Sequence, residues 1–338
     1  MAFLRGVWSI LVGVKDALVL LLLLLLFGGL WALTGLNAPS GALPDGGALR
    51  IDLEGTLVDQ GADVGLADLL GSAPVVRETE VRDLVRAIDA ARTDRAIRLI
   101  TLDLDGFMGG GQANLEAVAD ALLRFRAAGK TVESFASAYA DDGWFLAAHA
   151  NRIWMAPQGA VVLTGPGGTG LYFRDALDRL KVNVEVFRVG TYKSFVEPFT
   201  RNDRSPEARA ADQALAADIW ANYRQRAERQ RKGLDLDALL GSMAGRLAGA
   251  NRSPAELDVD WGLVDRLGSR IDFGRTIAKT VGPGDADDDP ADYAHIDLAD
   301  YQALRLHPRR HGPAVALVHV AGTIVDGDVP AGEAGGET

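Results

Sequence analysis

The chain has 338 residues, 48% of them hydrophobic, enough to bury one large core or two medium ones. A formal net charge of -11 excludes the broad positive footprint that draws proteins to nucleic-acid backbones. With no cysteine there is no disulfide, no thiolate nucleophile and no Cys-ligated zinc, so the compartment must be read from other features.

The first such feature is the uncharged run 17–36, built around seven consecutive leucines at 20–26. At about 1.5 Å per helical residue it reaches about 30 Å, the thickness of a bilayer core, and predicts one transmembrane helix in contact with membrane lipid. Arg5 and Lys15 precede it and no Lys or Arg follows before Arg50, which places the N-terminus in the cytoplasm and the bulk of the chain outside. The alternative is a cleaved signal peptide, for which Asn37-Ala-Pro-Ser-Gly-Ala42 offers small residues; the length of the apolar run favours an anchor.

Residues 37–47, rich in Gly, Ala and Pro, read as a flexible tether. From Ala48 a βαβ rhythm begins: a strand at 49–53, a helix at 80–91 with Val81, Leu84, Val85 and Ile88 on one face, and a strand at 98–104. It continues with a helix at 114–128, a strand at 131–136, a helix at 142–150 and short strands at 152–155 and 161–164. Alternation of this kind predicts an α/β domain with a mainly parallel sheet and flanking helices. Ser205-Pro-Glu207 is an N-cap signature opening a long helix that runs to Lys232 and stops at Gly233, with Leu215, Ile219 and Tyr223 as its apolar stripe. Further helical patterns cover 235–248 and 261–267, and 282–311 reads as a linker that begins with an acidic, Pro- and Gly-containing stretch.

Residues 49–59 recur at 316–326, with Gly55, Thr56, Val58 and Asp59 matching Gly322, Thr323, Val325 and Asp326 at an offset of 267. This predicts a tandem duplication: a first α/β domain at 48–281 and the start of a second repeat at 312–338, cut short at Thr338.

The segment that carries chemistry is Val189-Gly-Thr-Tyr-Lys-Ser-Phe-Val-Glu-Pro-Phe199, which sets Lys193 among apolar and aromatic residues. A lysine with the ordinary pKa of about 10.4 is neutral in about one molecule in 2,500 at pH 7 and makes a poor base. Burial lowers a lysine pKa by about 3–5, producing an amine that can take a serine's proton. Glu197 opposes this if it approaches the amine. The plainer reading is a surface lysine lying along Tyr192 and Phe195 and paired with Glu197.

That segment, with Arg201-Asn-Asp-Arg-Ser-Pro206 behind it, resembles the lysine motif of the signal peptide peptidases of the protease IV type. Asn151-Arg-Ile-Trp-Met-Ala-Pro-Gln-Gly159, Gly170-Leu-Tyr-Phe173, Leu180-Lys-Val182 and the N-terminal anchor extend the resemblance over nearly the whole chain. It implies a crotonase/Clp-like α/β domain, occurring twice in long bacterial members, with the lysine in the first copy and a serine from a Gly-Gly-Ser turn in the second. Lys193 matches the lysine. Phe107-Met-Gly-Gly-Gly-Gln112 matches the serine turn with Gly111 in the nucleophile's place, so the expected serine lies about 40 residues beyond Thr338 by the repeat offset. Ser194 is no substitute, because adjacent side chains diverge on a strand or a helix. Ser134, Ser137 and Ser242 sit in no nucleophile-elbow pattern, and the five histidines suggest no triad.

Two other motifs compete. Gly165-Pro-Gly-Gly-Thr-Gly170, after a strand and before a helical pattern at 171–180, with Glu185 twenty residues on, fits a dinucleotide fingerprint, but Pro166 stiffens the turn that would wrap a pyrophosphate. Asp285-Ala-Asp-Asp-Asp289 imitates a calcium loop but has Pro290 at the glycine position and Ile296 where the bidentate glutamate belongs. The basic cluster at 224–232 reads as a favourable helix C-terminus. The expected function is therefore a membrane-anchored serine endopeptidase that uses a Ser/Lys dyad on apolar signal-peptide remnants. No metal or cofactor is expected, and the resemblance implies a ring-like homo-oligomer at the bacterial inner membrane with its main domain periplasmic. The alternatives are a non-catalytic oligomeric peptide-binding subunit and a dinucleotide-binding enzyme.

Overall fold

The computed structural model describes residues 2–36, 45–61, 77–248, 251–286, 289–306, 323–326 and 333–336. The chain divides into two units, Met1–Ala42 and Leu43–Thr338. The first holds one helix, α1 (Ala2–Leu36), whose stretch Leu11–Gly29 is the one among the described residues long and apolar enough to cross a membrane. Lys15 and Asp16, the only charges in that stretch, pair with each other at 2.9 Å. The tether expected at 37–47 lies almost wholly outside the described residues.

The second unit opens with β1 (Gly47–Asp52), β2 (Gly55–Val58), β3 (Glu78–Glu80), α2 (Val81–Thr93), β4 (Ile97–Asp103) and β5 (Phe107–Gly109). Next come α3 (Gln112–Ala127), β6 (Thr131–Ala136), β7 (Tyr139–Ala140), α4 (Asp141–Ala148), β8 (Arg152–Met155) and β9 (Val161–Val162). The remainder is mainly helical: α5 (Arg174–Leu180), α6 (Glu197–Thr200), α7 (Pro206–Gln230), α8 (Leu236–Ala248), α9 (Pro254–Asp260), β10 (Arg266–Leu267), α10 (Arg270–Val281), β11 (His295–Asp297) and α11 (Leu298–Arg305).

Six strands form an all-parallel sheet in the order β10-β8-β6-β4-β1-β11. Both faces are covered, which is why the central strands β1, β4, β6 and β8 are buried at most positions rather than at alternate ones. Leu49, Ile51, Ile100, Leu102, Ile153 and Met155 point into one core, against α2, α3 and α4. Ala48, Leu99, Phe135 and Trp154 point into the other, where Phe273 and Ile277 of α10 cover them. Phe273 lies 5.4 Å from the Phe135 ring and 5.8 Å from that of Trp154. On α2, Val81, Leu84, Ile88 and Ala91 are buried at helical spacing, and each fully buried Leu or Ile contributes about 1.5–3 kcal/mol. A small parallel sheet, β3-β2-β5, continues from the end of β1 and holds β5 through β2. The mainly parallel sheet with flanking helices is the architecture expected from the sequence.

Two expectations need correction. The stretch 282–311, read as a linker, carries β11 and α11, and β11 is the edge strand paired with β1. Ile296 and Tyr301 are buried there, and Arg50 clamps Asp297 through two hydrogen bonds of 2.6 and 3.0 Å. An alternating apolar stretch as short as His295–Asp297 gives too little periodic signal to stand out beside its acidic neighbours. The helix expected at 261–267 is instead a turn followed by β10, because Gly262 has φ +77° and ends the helical run that began earlier. That earlier run is α9, whose N-terminus closes with a capping box between Ser253 and Glu256. In the stretch expected to begin a second repeat, Thr323–Asp326 forms a strand parallel to Glu333–Gly336, and the rest of 312–338 lies outside the described residues.

Candidate functional site

Phe107-Met-Gly-Gly-Gly-Gln112 forms a strand-to-helix elbow, with β5 running into Gly110 and Gly111 and α3 starting at Gln112. The sequence demands glycine here for two separate reasons. A side chain at Gly110 would place its Cβ 2.5 Å from the Cβ of Leu57. Gly111 has open space around it but holds φ +72°, ψ 152°, a conformation that L-residues rarely adopt. The position matched to the nucleophile therefore sits at the apex of an elbow and carries no side chain.

The elbow's Gly110 N–H donates to the Asp142 Oδ2 at 3.0 Å, where a free N–H would otherwise be available to an oxyanion. Asp142 and its neighbour Asp141 begin α4. The Asp141 carboxylate accepts from Thr164 N–H at 3.0 Å, Thr164 Oγ1 at 2.6 Å and Gly165 N–H at 3.0 Å, and so pins the glycine-rich loop. Its backbone carbonyl accepts from the Tyr223 hydroxyl at 2.7 Å, which docks α7. Between these elements lies a cavity of about 360 Å³. Its walls include Leu115, Phe145, Ile219, Trp220 and Tyr223, with Asp141, Asp142, Gly111 and the 165–167 turn around the elbow. Trp220 and Tyr223, one helical turn apart on α7, are stacked at 5.3 Å and 16°.

Lys193 does not line this cavity. It sits in an irregular segment before α6, and its side chain is exposed, contrary to the burial its apolar neighbours led us to expect. The reason is that those neighbours are themselves uncovered: Phe187 is 95% exposed, Val189 85% and Phe195 90%. Apolar sequence is not burial without a surface to pack on. The lysine's backbone is nevertheless held, with its N–H donating to Gly190 O at 3.4 Å and its carbonyl accepting from the Arg188 guanidinium at 3.0 Å.

Glu197 does not pair with Lys193. Its carboxylate is buried and accepts from the Ser205 N–H at 3.0 Å and from the Ser205 hydroxyl at 2.5 Å, with the Arg188 guanidinium 3.9 Å away. The two Ser205 hydrogen bonds hold its pKa below the usual carboxylate range. Ser205 in turn caps α7, accepting from Ala208 N–H at 3.2 Å. The carboxylate that sequence spacing offers as the lysine's counter-ion is thus committed to tying the lysine segment to α7.

Of the other serines weighed in the sequence, three have engaged hydroxyls, and Ser194 is tied only through its backbone. Ser134 is buried against the Tyr139 hydroxyl, Ser137 donates to Asp105, Ser242 donates to the carbonyls of Ala238 and Leu239, and the Ser194 carbonyl accepts from Glu197 N–H. The glycine-rich loop has its first N–H groups directed at the Asp141 carboxylate, and α5 starts only at Arg174, so the strand–turn–helix context of a dinucleotide fingerprint is not formed. The Asp141–Asp142 pair and the aromatic wall were missed in the sequence. The only signal for them was the stripe on α7, of which Ile219 and Tyr223 reach the cavity while Leu215 is 62% exposed.

The site thus combines a mainly parallel α/β domain, a strand–Gly-Gly-Gly–helix elbow and a lysine segment tied to α7. Residues 124–280, which include Lys193, match the model of peptidase family S49. The chain is 34% identical over 99% of its length to Protease 4 of Salmonella typhi and 32% identical over 99% to Protease 4 of Haemophilus influenzae. It spans 55% and 56% of those two relatives, a little over half their length. Among solved structures, it resembles a mutant of the 1510-N membrane-bound stomatin-specific protease, with a TM-score of 0.34, 13% identity and coverage of 76% of this chain and 95% of that one.

Proposed function

We propose that this chain supplies the general-base lysine of a membrane-anchored serine endopeptidase of the signal-peptide-peptidase type. In this reading the neutral Lys193 amine takes the proton of a serine presented by a second elbow. The serine oxygen attacks the peptide carbonyl, and the protonated lysine returns the proton to the leaving amine. The observation that carries the reading is the location of Lys193 inside the S49 match, in a segment whose nearby carboxylate is bound to Ser205 instead of to the amine. The bare elbow at Gly111 supports a nucleophile from elsewhere. Exposed Phe187, Val189, Tyr192 and Phe195 around the lysine support a covered, assembled state in a homo-oligomer and a preference for apolar peptides such as signal-peptide remnants. Arg5 and Lys15 support anchoring through α1 in the bacterial inner membrane, with the N-terminus cytoplasmic and the larger unit periplasmic.

Gly111 and the occupied Gly110 N–H also favour a second reading, in which the chain binds apolar peptides without cutting them. Labelling membranes of the source cells with a fluorophosphonate, with Lys193 intact or replaced by alanine, separates the two. The peptidase reading expects a labelled serine whose reactivity is lost with Lys193→Ala. Labelling of this protein that is indifferent to Lys193 contradicts it, and absence of labelling favours the binding subunit.

A further inference from the structure

The cavity beside the bare elbow is an apolar chamber with two acids at its end. Its walls are Leu115, Phe145, Ile219, Trp220 and Tyr223, and both Asp141 and Asp142 line it. Neither carboxylate has an ion-pair partner among the described residues. Asp141 takes its hydrogen bonds from Thr164 and Gly165, and Asp142 accepts one, from Gly110 through Oδ2. Both acids are half-buried, so two like charges stand side by side at the mouth of an apolar wall with only neutral donors to balance them. The same arrangement turns anions away, because the elbow's Gly110 N–H and the loop's Thr164 and Gly165 N–H groups, which would otherwise bind an anion, are already taken by carboxylates. The stacked Trp220 and Tyr223 rings add π faces, which attract cations and accept apolar stems equally well.

We infer that this chamber is a peptide-binding subsite for a basic residue, one whose methylene stem lies along Trp220, Tyr223 and Ile219 while its cationic head meets Asp142 and Asp141. Gly111 lines the chamber and leaves the apex of the elbow free of a side chain. Its volume of about 360 Å³ is at the small end of the range for ligand pockets and suits one long side chain with a little of its backbone. The inference rests on the reading of this chain as a peptide-binding relative of the S49 proteases. It concerns binding and not turnover, so a chain that binds such peptides and cuts nothing upholds it while contradicting the peptidase reading.

The test is calorimetric titration of the full chain in detergent micelles with three acetylated, amidated heptapeptides that are alike except at one central position among leucines. That position holds lysine, its uncharged isostere norleucine, or glutamate. The lysine peptide is expected to bind at least tenfold more tightly than the norleucine peptide, and the glutamate peptide more weakly than both. Asp142→Asn, which keeps an acceptor for Gly110, is expected to erase the lysine preference. Ile219→Trp, which fills the chamber from the α7 side, is expected to weaken all three, with circular dichroism showing that each variant remains folded. Equal binding of the lysine and norleucine peptides overturns the inference. So does binding of the lysine peptide that Ile219→Trp leaves unchanged; should Asp142→Asn fail to fold, the Ile219→Trp arm decides alone.

Discussion

Ser205→Ala removes two interactions with one hydroxyl. The Ser205 Oγ caps α7 through Ala208 N–H and donates to the buried Glu197 carboxylate. Losing an N-cap costs about 0.5–2 kcal/mol, and losing one charge-assisted hydrogen bond to a buried acid costs about 1.5–3 kcal/mol, so the sum is about 2–4 kcal/mol after allowing for relaxation. Between Thr164 and Arg204 only Glu197 is buried, so little else holds the lysine segment and the loss should appear as local opening more than as global unfolding. Hydrogen exchange followed by mass spectrometry reads it at the Glu197, Phe199 and Arg201 amides, which donate to Ser194, Val196 and Glu197 carbonyls. A loss of about 2–4 kcal/mol corresponds to roughly 30- to 1,000-fold faster exchange there. The pH dependence has a definite sign. Glu197 is held below the usual carboxylate range, so its contribution is complete above the unfolded carboxylate pKa of about 4.3 and disappears as the pH falls through the folded value. Wild-type protection should therefore fall with acid below about pH 4.3, and this dependence should flatten in Ser205→Ala. Unchanged exchange at these three amides would refute the latch.

Other consequences follow from single residues. Asp258 is buried, and desolvation raises its pKa to about 6 even though it accepts Val161 N–H at 2.8 Å. Because the folded acid binds its proton more tightly than the unfolded one, stability should decline as the pH rises from about 4 to about 6. Asp258→Asn keeps the acceptor and should raise the melting temperature at pH 7.5, by about 1–3 kcal/mol of stability, while changing little near pH 4; an equal effect at both pH values would count against this. Gly110→Ala should cost about 1–3 kcal/mol through the Leu57 clash, and Gly111→Ala about 1–2 kcal/mol through backbone strain alone. Denaturant titration distinguishes the two if a Leu57→Gly background, which removes the clashing Cβ, rescues only the Gly110 variant.

The regular core was legible because its strands and helices obey short-range periodicity: Val81, Leu84 and Ile88 mark α2, and Thr131–Ala136 and Arg152–Met155 form strands where the sequence placed them. Lys193 was legible as a motif, but its exposure was not, since apolar neighbours mark a surface to be covered without saying what covers it. The cavity was illegible for a different reason. It is assembled from Gly111, Asp142, the 165–167 turn and Trp220, residues brought together only by the sheet order and by the Tyr223 bond to the Asp141 carbonyl. Glu197 was placed near Lys193 by spacing of four, yet eight residues further on Ser205 offers it two donors in a buried setting, and those win over one exposed ammonium. The Ser253-Pro-Ala-Glu256 capping box is readable in the sequence and marks a helix at 254–260, ahead of the 261–267 that apolar spacing alone suggests.

The central claim is that Lys193 moves the proton in peptide hydrolysis, and the most direct test is the rate of ester and peptide hydrolysis in source-cell membranes carrying Lys193→Ala or Lys193→Arg. The account calls for a fall of at least about 100-fold in both variants, because general-base catalysis contributes about 10²–10⁴ and an arginine stays protonated. Hydrolysis that persists at the wild-type rate in either variant, with the protein present at normal abundance, would contradict it.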